Sequence, residues 1–174
     1  MNSVEGGSIA ESFPVLRTCL EYSLYALHIS RNPTLGEAWL KRHDDEETLK
    51  TVKQDFTIRK VIDTLKDEDQ KLGIIVEDLY RRAIDFGGHP NERAITQNMT
   101  MTHDDGRTEI QQIYLHGDSI ALDHGMKSVA QVGLSSLCIF RNIFPERFKN
   151  LGISAAIDEL QEVFDLGIYL TPHH

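Results

Sequence analysis

In the stretch FPVLRTCLEYSLYALHISR, residues 13 to 31, leucines return at positions 16, 20, 24 and 27. A run of that length with that three-and-four spacing is an α-helix with one buried face, because the intervening positions carry the polar side chains. Ser12 can cap it, Pro14 is tolerated in the first turn, and Asn32-Pro33 stops it. One such helix is stable only when something covers its leucines, so the rest of the chain has to supply partners.

The partners are legible. Thr34 to Glu37 has the form of a capping box opening a helix through Trp39 towards Arg42. The run HDDEE offers an N-cap and an acidic first turn to a helix through Val52 and Phe56, and another helix runs through Val61 to Leu65. From about Asp69 to Phe86 the spacing of Leu72, Ile75, Val76, Leu79 and Ile84 predicts a helix burying those side chains, and Gly87-Gly88 predicts a left-handed C-cap. Alternation around Asp105-Gly106 predicts a hairpin within residues 96–115. Helical spacing resumes from Ser119 to Phe144, with Ile120, Met126, Val129, Val132, Leu137 and Phe140, until Pro145 stops it. A last amphipathic helix, Ser154 to Leu166, starts at a Ser154 cap. The expected fold is therefore all-α: an antiparallel helical bundle of five to seven helices with a small inserted β-hairpin. It forms one domain over residues 1–174, with residues 1–8 as a flexible tail.

Composition narrows the function. At 174 residues the chain can bury roughly 70% of its unfolded surface, enough for a core without disulfides. No apolar run approaches a membrane span and no secretory leader opens the chain, so a cytoplasmic protein is expected, with Cys19 and Cys138 as reduced thiols in apolar helical surroundings. The net charge of −9, from 18 basic and 27 acidic residues, argues against sequence-independent nucleic-acid binding over the whole surface, and no DNA specificity is evident. Phosphate loops, dinucleotide turns, Cys-x-x-Cys pairs and serine elbows are absent, and no cofactor is implied.

Two polar constellations stand out. Arg17, Glu21 and His28 fall near one stripe of an otherwise apolar helix. They read as an ion pair that fixes helix register, with a satisfied histidine, or as residues facing a polar cavity; if the pair is buried, Glu21→Ala should cost about 3 kcal/mol or more by stranding Arg17. In LYRRAIDFGGHPNERA, residues 79 to 94, the glycine pair lets the chain turn so that His89 could fold back towards Arg82. An imidazole passes protons and a guanidinium stabilises a phosphorane, which together suit metal-independent RNA cleavage by the ribose 2′-hydroxyl. The plain reading is that Arg81 and Arg82 neutralise helix C-terminal carbonyls while His89 caps the helix.

A third grouping, His103, Asp104 and Asp105 with His116, Asp118, Asp123 and His124, holds atoms suited to a divalent metal in no recognised ligand spacing. No Glu-x-x-His occurs, and the same aspartates serve turns and caps, so no metal residues are assigned.

Arg82, six intervening residues and then His89 at a helix end resemble the R-x4–6-H motif of the HEPN superfamily, small helical-bundle ribonucleases and nucleotide-associated modules of bacterial defence and toxin–antitoxin systems. Over roughly residues 10 to 150 the chain is also similar to a group of uncharacterised bacterial helical proteins in which an R-x3-E helix precedes a tyrosine-led helix ending in histidine. Members of that group carry a further helix ahead of the R-x3-E helix. The resemblance implies a homodimer whose Arg82 and His89 line a shared cleft, with RNA as substrate or ligand and Glu21 as a polar partner; the expected site gathers Arg82 and His89, with Arg17, Glu21, Arg81 and Asn91 as supporting binding residues. Ala83 after the arginine and the glycine pair before His89 depart from the family pattern. The alternatives are a non-catalytic helical interaction or ligand-binding protein and, third, a divalent-metal-binding protein.

Overall fold

The computed structural model describes residues 12–88, 99–104, 107–112 and 120–164. Among them, eight α-helices and one two-stranded antiparallel sheet form an all-α bundle with a small hairpin. Helix α1 spans Ser12–Arg31, α2 Pro33–Leu40, α3 Glu46–Asp55, α4 Ile58–Glu68 and α5 Gln70–Ala83, which continues as a π-helical turn, Ile84–Gly88. Strands β1, Met99–Asp104, and β2, Arg107–Gln112, pair with Asp104 opposite Arg107, flanking the expected Asp105-Gly106 turn. Then come α6, Ile120–Ile143, α7, Pro145–Asn150, and α8, Ile153–Phe164.

Local chemistry explains most boundaries. Asp45 caps α3, its carboxylate accepting from Thr48 N at 2.7 Å, and Asp69 caps α5 by accepting from Leu72 N at 2.9 Å. Thr34 does not form the expected capping box. Pro33 takes the first turn of α2, Asn32 becomes the N-cap, and Thr34 Oγ1 donates to Asn32 Oδ1 at 2.6 Å. The Gly87-Gly88 pair does not make a left-handed cap either, since the chain widens into the π turn there. Positive φ occurs instead at Gly152, 71°, where the chain turns into α8 one residue ahead of the expected Ser154 start. Pro145 ends α6 and opens α7, the one helix not expected.

The core collects Leu16, Leu20, Leu24 and Leu27 of α1 with Val61, Ile62 and Leu65 of α4, Leu72, Val76 and Leu79 of α5, and Val132 and Ile139 of α6. Ile84 is half-buried. Cross-helix pairs give the directions. His28 meets Thr64 and Arg31 meets Glu68, so α1 and α4 are parallel; Glu21 meets Tyr80 and Phe13 stacks on Phe86, so α5 is antiparallel to α1. Cys19 meets Ser136 and Arg31 reaches Asn142 O, so α6 runs with α1.

Helix α6 is turned from its expected face. Met126, Val129 and Leu137 are exposed, while Ser128, Gln131, Ser135 and Ser136 are buried beside Val132, Leu134 and Ile139. Small serines let α6 lie close against α1, with Ser136 Oγ 3.4 Å from Cys19 Sγ, and that approach wins over burial of the larger apolar set.

Candidate functional site

Glu21 is the hub of the polar row on α1. Its Oε1 accepts from Arg17 Nε at 2.9 Å and from the Tyr80 hydroxyl at 2.8 Å, and the Arg17 guanidinium sits 5.8 Å from the Tyr80 ring centre. Burial, then the hydrogen bond to Glu21, pushes the Tyr80 phenol up to about 12, so it is a fixed donor. The expected Arg17–Glu21 pair is formed, and its side chains are 35% and 24% exposed, half-buried and not sealed in the core. With both donors on one carboxylate oxygen, the cluster pins α1 to α5 and sets the position of the last turn of α5.

His28, expected near the same stripe, belongs to another cluster. Its Nδ1 lies 2.7 Å from Thr64 Oγ1 and its ring packs edge-on against Phe56. Burial lowers its pKa from the usual histidine value.

At the end of α5, both arginines turn back to Asp78. Arg82 Nε lies 2.9 Å from Asp78 Oδ2 and Arg81 Nη2 3.5 Å from Oδ1, so Asp78 takes the role expected of the helix C-terminal carbonyls. Arg82 Nε is buried and the Asp78 oxygen lies off its N–H direction, making a charge contact without an aligned hydrogen bond. Arg81 is exposed along a groove between α4 and α5, about 660 Å³, whose walls also carry Arg59, Lys66, Asp63 and Glu77.

His124, in the second turn of α6, faces this end of α5. Its ring centre is 5.7 Å from that of Phe86, which stacks in turn on Phe13. Partial burial, then the neighbouring charges of Arg82 and Lys127, lower its pKa below the usual histidine value and favour the neutral ring at pH 7. The structure thus gathers Arg82, Asp78, Phe86 and His124. His89 and Asn91 lie outside the described residues, as do His116 and Asp118.

Sequence reasoning missed Asp78, Tyr80 and His124 as site neighbours. Asp78 is four residues before Arg82 and was visible as a helical pair; nothing local links Tyr80 to Glu21, 59 residues away, or His124 to Arg82. Of the metal grouping, His103 is exposed on β1 with Thr108 Oγ1 3.4 Å from its Nε2, and among the described residues no three His, Cys, Asp or Glu side chains come together to hold an ion. Both cysteines are free, Cys138 buried and Cys19 half-buried. No described helix is long and apolar enough to cross a membrane. Compared with known proteins, the chain matches no family model, no curated protein and no solved structure.

Proposed function

We propose that this chain is a HEPN-like module of a cytoplasmic defence system that cleaves RNA without a metal ion. In this reading His89 takes the proton from a ribose 2′-hydroxyl, the 2′-oxygen attacks the adjacent phosphorus, the bond to the 5′-oxygen breaks, and that oxygen leaves with the proton that His89 gives back. Arg82 neutralises the charge that develops on the phosphorane. The observation that carries the reading is the placement of Arg82. Asp78 holds its guanidinium at the C-terminal end of α5, beside the His124 imidazole, whose pKa is lowered. The neighbouring groove carries Arg59, Lys66 and Arg81, each within 4.0 Å of a carboxylate of Asp63, Glu77 or Asp78, so a polyanion running along α4 and α5 would have to displace those pairs.

Labelled single-stranded RNA incubated in EDTA with wild type, His89→Ala and Arg82→Ala tests this. Cleavage by wild type alone, with melting temperatures of the variants within a few degrees, is the expected result. A folded wild type that leaves RNA intact, or a His89→Ala protein that cleaves normally, removes it.

A second reading, a non-catalytic interaction module, is favoured by the outward face of α6 and α1. Met126, Val129 and Leu137 on α6 and Val15 and Tyr22 on α1 are exposed on either side of the Cys19–Ser136 seam. In this reading the face receives a second copy of the chain.

A further inference from the structure

At the end of α5 opposite Arg82, about 16 Å away along the helix, the first turns of α5 meet the last turns of α6 and the C-terminal half of α8 around a cleft of about 340 Å³. We infer that this cleft binds a free α-amino acid with an apolar side chain. Its floor is Leu72, Ile75 and Cys138, all buried, and burial keeps the Cys138 thiol protonated by raising its pKa. The volume lies at the lower end of the range of small-molecule sites, which suits an amino acid better than a nucleotide.

The rim decides the chemistry. Asp69 is occupied in capping α5, Arg141 Nη1 closes on Asp158 Oδ1 at 2.6 Å, and Gln161 Nε2 donates to Cys138 Sγ at 3.5 Å. That leaves one ammonium, Lys71, one carboxylate, Glu162, and the Asn142 side-chain amide, none of which has a hydrogen-bond or ion-pair partner among the described residues. A simple anion entering here would be repelled by Glu162, Asp158 and Asp69, and a simple cation by Lys71 and Arg141. A zwitterion meets both. Its carboxylate goes to Lys71, its ammonium to Glu162, and its hydrocarbon body to the apolar floor. Because Lys71 is on α5 and Glu162 on α8, the ligand ties the C-terminal helix to the bundle.

Calorimetric titration of the full chain with L-leucine and L-phenylalanine tests the site, with L-leucinamide and N-acetyl-L-leucine as probes that each lack one charge. Saturable one-to-one binding of the amino acids is expected, with each blocked analogue at least about tenfold weaker, or about 1.4 kcal/mol. Lys71→Met should weaken leucine and abolish its advantage over leucinamide, and Glu162→Gln should abolish its advantage over N-acetylleucine. Both side chains are exposed, so both variants should melt with wild type. No heat at about 10 mM amino acid, analogues that bind as well as leucine, or variants that keep full discrimination each overturn the assignment. None of these results bears on RNA cleavage at Arg82.

Discussion

Thr64 fixes the protonation state of His28. Its hydroxyl donates to Lys60 O at 3.1 Å, so it accepts from Nδ1–H of the imidazole at 2.7 Å, which leaves Nε2 unprotonated, sealed from solvent and without a partner. A proton there would be buried, helped only by the backbone and the charge of Asp55. Burial lowers the folded pKa, and the opposing pull of Asp55 is outweighed. The unfolded chain therefore binds the proton more readily, so stability is full above about pH 6.5 and falls as pH drops from there towards the folded pKa. Thermal melts across that window should show the fall in wild type and a shallower one in His28→Gln, with the remainder from His124, whose pKa is shifted in the same direction. An unchanged slope in His28→Gln would place the titration elsewhere. The Glu21 hub behaves differently, because half-burial lets water reach what a substitution strands. Glu21→Ala removes the acceptor of both Arg17 and Tyr80 and should cost about 1–2 kcal/mol in urea denaturation, below the value of about 3 kcal/mol expected of a fully buried pair. Glu21→Gln keeps an acceptor for the Tyr80 hydroxyl and should lose about half as much; equal losses would mean that charge, not hydrogen bonding, holds α1 to α5.

Two glycines in helices separate propensity from packing. A Cβ on Gly73 of α5 would lie 2.4 Å from Lys66 Cγ and 3.0 Å from Lys66 Cα, so α4 and α5 would have to part. A Cβ on Gly133 of α6 would meet nothing within 4 Å. The same Gly→Ala change should therefore cost about 2 kcal/mol at Gly73, where overpacking exceeds the gain in helix propensity, and stabilise by about 0.5–1 kcal/mol at Gly133, read from denaturation midpoints. Equal effects would mean that the α4–α5 contact yields. This contrast also marks what the sequence could reveal. Helix existence was legible wherever a cap and a period coincided, as at Asp45 with Glu46 and Glu47, or Asp69 with Leu72, and so was the hairpin around Asp105-Gly106. Which face of α6 turns inward was not legible. The choice lies in the close approach of Ser136 to Cys19, 117 residues apart, and periodicity counts apolar side chains without weighing such contacts. The π turn at Ile84–Gly88 was hidden for a similar reason, since Phe86 is held by Phe13 of α1. At the site, Arg17–Glu21 and Arg82–Asp78 are local pairs that spacing can expose, whereas the meeting of Tyr80 with Glu21 belongs to the tertiary fold.

For the whole molecule, the apolar face on α1 and α6 is large enough to matter. Helix α6 has 24 residues, and two helices side by side about 36 Å long and 20 Å across present about 700 Å². That footprint approaches the roughly 800 Å² per partner of a standard protein interface. Because α1 and α6 run parallel, a second copy packed on the face by a twofold axis would form a four-helix layer with Gly133 and the Cys19–Ser136 seam near its centre. Light scattering after size exclusion at micromolar concentration should give a dimer for wild type and a monomer for Val129→Glu, whose charge would face its own symmetry mate or another apolar side chain. Val129 is exposed, so the variant should fold as wild type does. A monomeric wild type would leave the face without its proposed occupant. If wild type is dimeric and cleaves RNA, Val129→Glu also shows whether cleavage needs the dimer. Loss of cleavage with Arg82 and His89 unaltered would make the paired copies part of the active unit, and unchanged cleavage would confine the chemistry to one chain.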